Sequence, residues 1–97
     1  MKSNTMKDLF STFVDNINKS DVYALTAMAN MSAALIKKRV SLGMTQKEFA
    51  NYLNVTQGML SRWENTEYNF TIKTMSELCE KIGYSLTINI ESTCKPL

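Results

Sequence analysis

At 97 residues the chain holds one small domain, with room for a terminal extension, and its 44% apolar content is enough for a modest core. No apolar run approaches the roughly 20 residues of a membrane helix, and the opening MKSNTMKDLFSTF lacks the apolar stretch and cleavage site of a secretory signal. The net charge is only +2, there is no histidine, and Cys79 and Cys94 have no metal-ligand spacing, which argues against a metal site, a cofactor site or histidine-based catalysis.

Residues 6–17 place Leu9, Phe10, Phe13, Val14 and Ile17 on one helical face, predicting a first helix. Asn16, Asn18 and Ser20 break that pattern. Ser20 or Asp21 is the expected cap of the next helix, which runs through Val22, Leu25, Leu35, Ile36, Arg39 and Val40 to a stop at Gly43. It is either one long helix or two helices broken near Asn30. Lys37, Lys38 and Arg39 in its last turn suit the helix dipole.

Thr45-Gln46-Lys47-Glu48 has the form of a capping box, and the helix it opens buries Phe49, Ala50 and Leu53. Asn54 suits a sharp left-handed turn. Thr56 caps a further helix that buries Leu60 and Trp63, with Val55 helping to pin it onto Ile36 and Val40. Thr71 caps a last helix, through Ile72, Met75, Leu78, Cys79 and Ile82, and Gly83 ends it. Cys79 then reads as a core thiol and Cys94 as a free thiol in a polar tail, which fits a reducing cytoplasm.

After Gly83 the period changes. Tyr84, Leu86, Ile88 and Ile90 alternate with polar residues, the pattern of a strand. A lone strand leaves its backbone groups open, so pairing with the same strand of a second copy is expected; the alternative is an irregular tail lying on the helices.

Residues 32–65 carry five cations, Lys37, Lys38, Arg39, Lys47 and Arg62, against Glu48 and Glu64, whereas the flanking segments are balanced or slightly acidic. Two short helices joined by a tight turn make a helix-turn-helix. With Leu60 and Trp63 turned inward, the outer face of the second helix shows Thr56, Gln57, Gly58, Ser61, Arg62 and Asn65. Glutamine and arginine are side chains that read adenine and guanine edges in the major groove, and helix N-termini favour phosphate. Each feature also has an ordinary explanation, since caps are common and polar faces usually just meet water.

The segment MTQKEFANYLNVTQGMLSRWEN resembles the helix-turn-helix of the phage-repressor or Xre family, with Thr45, Gln46, Phe49, Ala50, Val55, Thr56, Leu60, Ser61, Glu64 and Asn65 matching its pattern. Asn54 replaces the usual turn glycine, Thr66 the glycine after Glu-Asn, and Phe70 a proline. The resemblance implies that Gln57, Gly58, Ser61 and Arg62 face bases. It places Gln46, Lys47, Thr56 and Asn65 on phosphates and makes Arg39 and Glu64 a structural ion pair.

The flanks look like those of HigA-like antitoxins, whose partners are RelE-type mRNA interferases. That likeness gives Leu9, Phe10, Phe13, Val14 and Ile17 a toxin to dock, as against packing on the protein's own helices or its dimer mate. The expected architecture is therefore mostly α: a five-helix domain with a phage-repressor-like helix-turn-helix core and a short C-terminal strand that pairs in a homodimer. Residues 1–31 form the extension, 32–83 the DNA-binding domain and 84–97 the dimerisation strand and tail. The expected function is a cytoplasmic, non-enzymatic repressor that binds a palindromic operator in double-stranded DNA as a homodimer. It is expected to be an antitoxin that neutralises a small basic toxin and represses its own operon. The alternatives are a stand-alone repressor without a toxin and a protein-interaction module that keeps the fold without reading DNA.

Overall fold

A computed structural model of the chain describes residues 18–66 and 69–93. Four helices follow in order: α1 (Lys19–Ser41), α2 (Gln46–Leu53), α3 (Gln57–Glu64) and α4 (Ile72–Ile82). Each begins where a short polar side chain captures a backbone N–H that the helix cannot satisfy itself. Asn18 accepts from the Ser20 N–H, so the cap of α1 falls just before the Ser20 or Asp21 expected from sequence. Thr45, Thr56 and Thr71 cap α2, α3 and α4, and at α2 the Glu48 side chain returns the bond to the Thr45 N–H, completing the box.

The ends are equally local. Asn54 terminates α2 in the left-handed region at φ 63°, and Gly83 terminates α4 at φ 78°. In a left-handed residue the Cβ crowds the following carbonyl, a conflict that glycine lacks and asparagine tolerates. The α1 helix runs unbroken through Asn30.

The core is Leu35 from α1, Phe49, Ala50 and Leu53 from α2, Leu60 and Trp63 from α3, and Leu78 and Ile82 from α4. The α1 helix packs on both α3 and α4, and α2 packs on α3. Ala50 is buried where α2 and α3 meet, where a longer side chain would hold the helices apart. Ser32 of α1 is buried and donates to the Trp63 carbonyl, joining the long helix to the last turn of α3. Lys81 of α4 donates to the Leu53 carbonyl at 2.9 Å, satisfying an open acceptor at the end of α2. Phe70 is buried with its ring 6.0 Å from that of Trp63, so the residue that stands in place of proline extends the core.

Three expectations need correction. The fold has four helices among the described residues rather than five; the helix expected over residues 6–17 lies outside them. The C-terminal strand is absent: residues 84–93 form neither strand nor bridge. The physical reason is that a strand exists only by pairing its backbone, and all the regular elements beside this segment are helices, whose backbone groups are already used. Tyr84, Leu86 and Ile88 instead line a groove of about 660 Å³ with Met31 and Ala34 of α1 and Met75 and Cys79 of α4, while Ile90 is 91% exposed. Finally, Val40 and Ile72, read as inward-facing, are more than 60% exposed. Each lies at the edge of its helix's apolar stripe, where the neighbouring helices do not reach.

Candidate nucleic-acid interface

The α3 helix is eight residues long, so its two faces separate cleanly. Leu60, Trp63 and Glu64 are buried, whereas Gln57, Gly58 and Arg62 are exposed and Ser61 is half-buried. Positions 57, 58, 61, 62 and 65 follow the i, i+1, i+4, i+5 and i+8 spacing of one helical face. That face is therefore a strip of amide, hydroxyl and guanidinium groups on a helix whose opposite side is anchored in the core.

The residues expected at phosphates flank this strip and are partly engaged within the protein. The Thr56 hydroxyl accepts from the Met59 N–H at 3.1 Å. Asn65 caps the end of α3, its side-chain amide 3.5 Å from the Ser61 hydroxyl. Lys47 is exposed in the first turn of α2. Gln46 is half-buried, and its amide nitrogen donates to Glu64 Oε1 at 3.0 Å, a bond that spacing along the chain does not reveal.

Glu64 lies at the centre of the site's support. Arg39 Nε donates to its second oxygen, Oε2, at 2.8 Å, and Arg39 Nη1 donates to the Met44 carbonyl at 3.2 Å. The C-terminal end of α1 and the first residue of α2 thus converge on the carboxylate of the last residue of α3, and Arg39 also holds the loop after α1 through the Met44 carbonyl. A buried carboxylate needs both a counter-charge and hydrogen bonds, and here it has both.

Gly58 has open space around it: a Cβ built there meets no atom within 4 Å. Its φ is not positive either, so neither the backbone nor internal packing requires glycine. Burial raises the pKa of the Cys79 thiol, which favours its neutral, unreactive form. Among the described residues no group of three or more potential metal ligands exists, and no helix is long and apolar enough to cross a membrane.

Two capped helices joined by a left-handed turn, the second presenting a polar face, define the helix-turn-helix class of DNA-binding domain. The helix-turn-helix family model matches residues 35–89, more than half of the chain, and the protein belongs to that family, whose members are DNA-binding regulators of the Xre and phage-repressor type. No curated protein and no solved structure gives a significant match to the chain.

Proposed function

We propose that the protein is a transcriptional repressor that reads double-stranded DNA with α3. Gln57, Gly58, Ser61 and Arg62 lie against base edges in the major groove, and Gln46, Lys47, Thr56 and Asn65 lie along the flanking phosphates. The observation that carries this reading is the division of α3 into an anchored apolar side and an exposed strip with a guanidinium at its centre. A guanidinium forks onto the two acceptors of guanine, and an amide pairs with adenine. Two copies on a palindrome would set their recognition helices about 34 Å apart.

The test is a selection from a randomised duplex pool followed by binding measurements on the chosen sequence. Arg62→Ala is expected to weaken specific binding by about 1–3 kcal/mol and to relax the choice at one base position. An unchanged footprint would remove Arg62 from the reading face. If the wild-type protein binds chosen and random duplexes alike, it is an interaction module that keeps the fold without reading sequence.

A second reading, that this repressor is an antitoxin, is favoured by the N-terminal part of α1. Residues 19–27 are exposed throughout, and Val22, Tyr23 and Leu25 leave apolar surface uncovered. A helix in water owes most of its stability to packing of an apolar face, which suits a protein partner at this end. Leu9, Phe10, Phe13, Val14 and Ile17, although outside the described residues, continue the apolar character toward the N-terminus. Co-expression with the product of the adjacent reading frame tests it: a small basic protein that co-purifies and is toxic alone supports the antitoxin, and its absence leaves a stand-alone repressor.

A further inference from the structure

Gln46 is assigned to phosphate by its place at the start of α2, yet its amide nitrogen is bonded to Glu64 at the other end of the helix-turn-helix. We infer that Gln46 is also a positioning residue: it fixes the seat of α3 against α2 through the Glu64 carboxylate, and so controls base discrimination as well as affinity. The inference rests on α3 being the base-reading helix, as proposed above.

The geometry singles out this residue. A carboxylate has two oxygens, and in Glu64 they are divided: Oε2 takes the Arg39 guanidinium at 2.8 Å and Oε1 takes the Gln46 amide at 3.0 Å. Arg39 ties the end of α3 to α1, and Gln46 ties it to α2. The turn between α2 and α3 bonds the near ends of those helices, with the Val55 N–H on the Ala50 carbonyl at 2.9 Å. The Gln46–Glu64 bond closes the far side. Between them the two restraints fix the angle at which α3 leaves α2, whereas either alone acts as a hinge. An amide nitrogen carries two hydrogens, so the one not given to Glu64 remains for a phosphate oxygen. A single side chain then joins the backbone of the duplex to the pose of the reading helix.

Introducing a charge at position 46 separates this role from simple phosphate contact. Gln46→Glu places a second carboxylate within hydrogen-bond reach of Glu64. Two carboxylates so close do not both ionise cheaply, so the folded protein retains a proton that the unfolded chain has lost. Its stability contribution is then present at low pH and lost as pH rises. Of the other charged groups near this end of α3, Arg39 from α1 is in contact with Glu64 and Glu48 of α2 is turned onto the Thr45 N–H, while Lys38 of α1, Lys47 of α2 and Arg62 of α3 itself are further cations on the same helices. A glutamate at a helix N-terminus that faced only solvent would do the reverse, since the dipole favours its charged form and stability would fall with falling pH.

The experiment is thermal unfolding of the full chain and its Gln46→Glu variant between about pH 5 and pH 8, with binding measured on the wild-type-selected duplex and on random duplex. The variant is expected to melt at least about 5 °C below wild type at the upper pH, with the gap narrowing as pH falls. The exchange variant Gln46→Glu/Glu64→Gln, which keeps a single carboxylate in the pair, is expected to lose that pH dependence. Gln46→Ala is expected to lower the ratio of selected to random binding by about 10-fold, the size of one lost hydrogen bond to a charged group. A gap that widens as pH falls, or equal loss on both duplexes for Gln46→Ala, would overturn the positioning role. A wild-type protein that fails to discriminate the duplexes would overturn the DNA reading instead, and the pH series would still decide the Gln46–Glu64 coupling.

Discussion

Replacing Arg39 by methionine removes a guanidinium while keeping most of the side chain's volume. The Arg39 side chain is 22% exposed and that of Glu64 only 4%, so the substitution strands a buried carboxylate whose remaining partner is the Gln46 amide. Breaking a fully buried pair from one side costs about 3–5 kcal/mol. Water can follow the exposed part of Arg39 inward, and Gln46 still donates, so the loss falls toward about 2–3 kcal/mol. For a domain of this size that is a fall in Tm of about 10–20 °C. Urea unfolding should show a lower midpoint with an unchanged slope. Substituting both partners, Arg39→Met with Glu64→Leu, should recover much of the loss, because an apolar pair leaves no charge to solvate. A single variant within about 3 °C of wild type at neutral pH would refute the argument.

Two further substitutions test the backbone. Gly58→Ala meets no internal atom and should stabilise the free protein by up to about 1 kcal/mol, read as a higher Tm, while weakening binding to the selected duplex; unchanged binding would show that nothing approaches this residue closely. Thr66 is β-branched yet adopts φ 58°, so Thr66→Gly should release about 1 kcal/mol of strain, less the entropy glycine adds to the unfolded chain, and raise Tm by a few degrees; a fall would show that the turn is relaxed as it stands.

Local signals were the most legible part of the fold. Thr45, Thr56, Thr71, Asn54 and Gly83 could be placed from sequence because capping and left-handed turns depend on residues within four positions of one another. The inward face of α3 was readable for the same reason, since Leu60 and Trp63 lie one turn apart. The phosphate role expected of Gln46 gave no hint of its bond to Glu64, 18 residues along the chain. Tyr84, Leu86, Ile88 and Ile90 misled because alternation records which faces of an extended segment are apolar, not whether a neighbouring backbone exists to pair with it. Ile72 and Val40 misled because a helical stripe is wider than the surface its neighbours cover.

The order of residues alone determined where helices α2 to α4 begin and end, that Leu60 and Trp63 turn inward, and which polar groups α3 exposes. These follow from backbone sterics and short-range hydrogen bonds, which do not depend on the rest of the molecule. Only the tertiary structure decided that α1 is continuous, that the segment after Gly83 lines a groove with α1 and α4, and that Arg39, Met44, Gln46 and Glu64 meet. Those outcomes depend on distances between elements remote in sequence, and such distances are fixed only when the core closes.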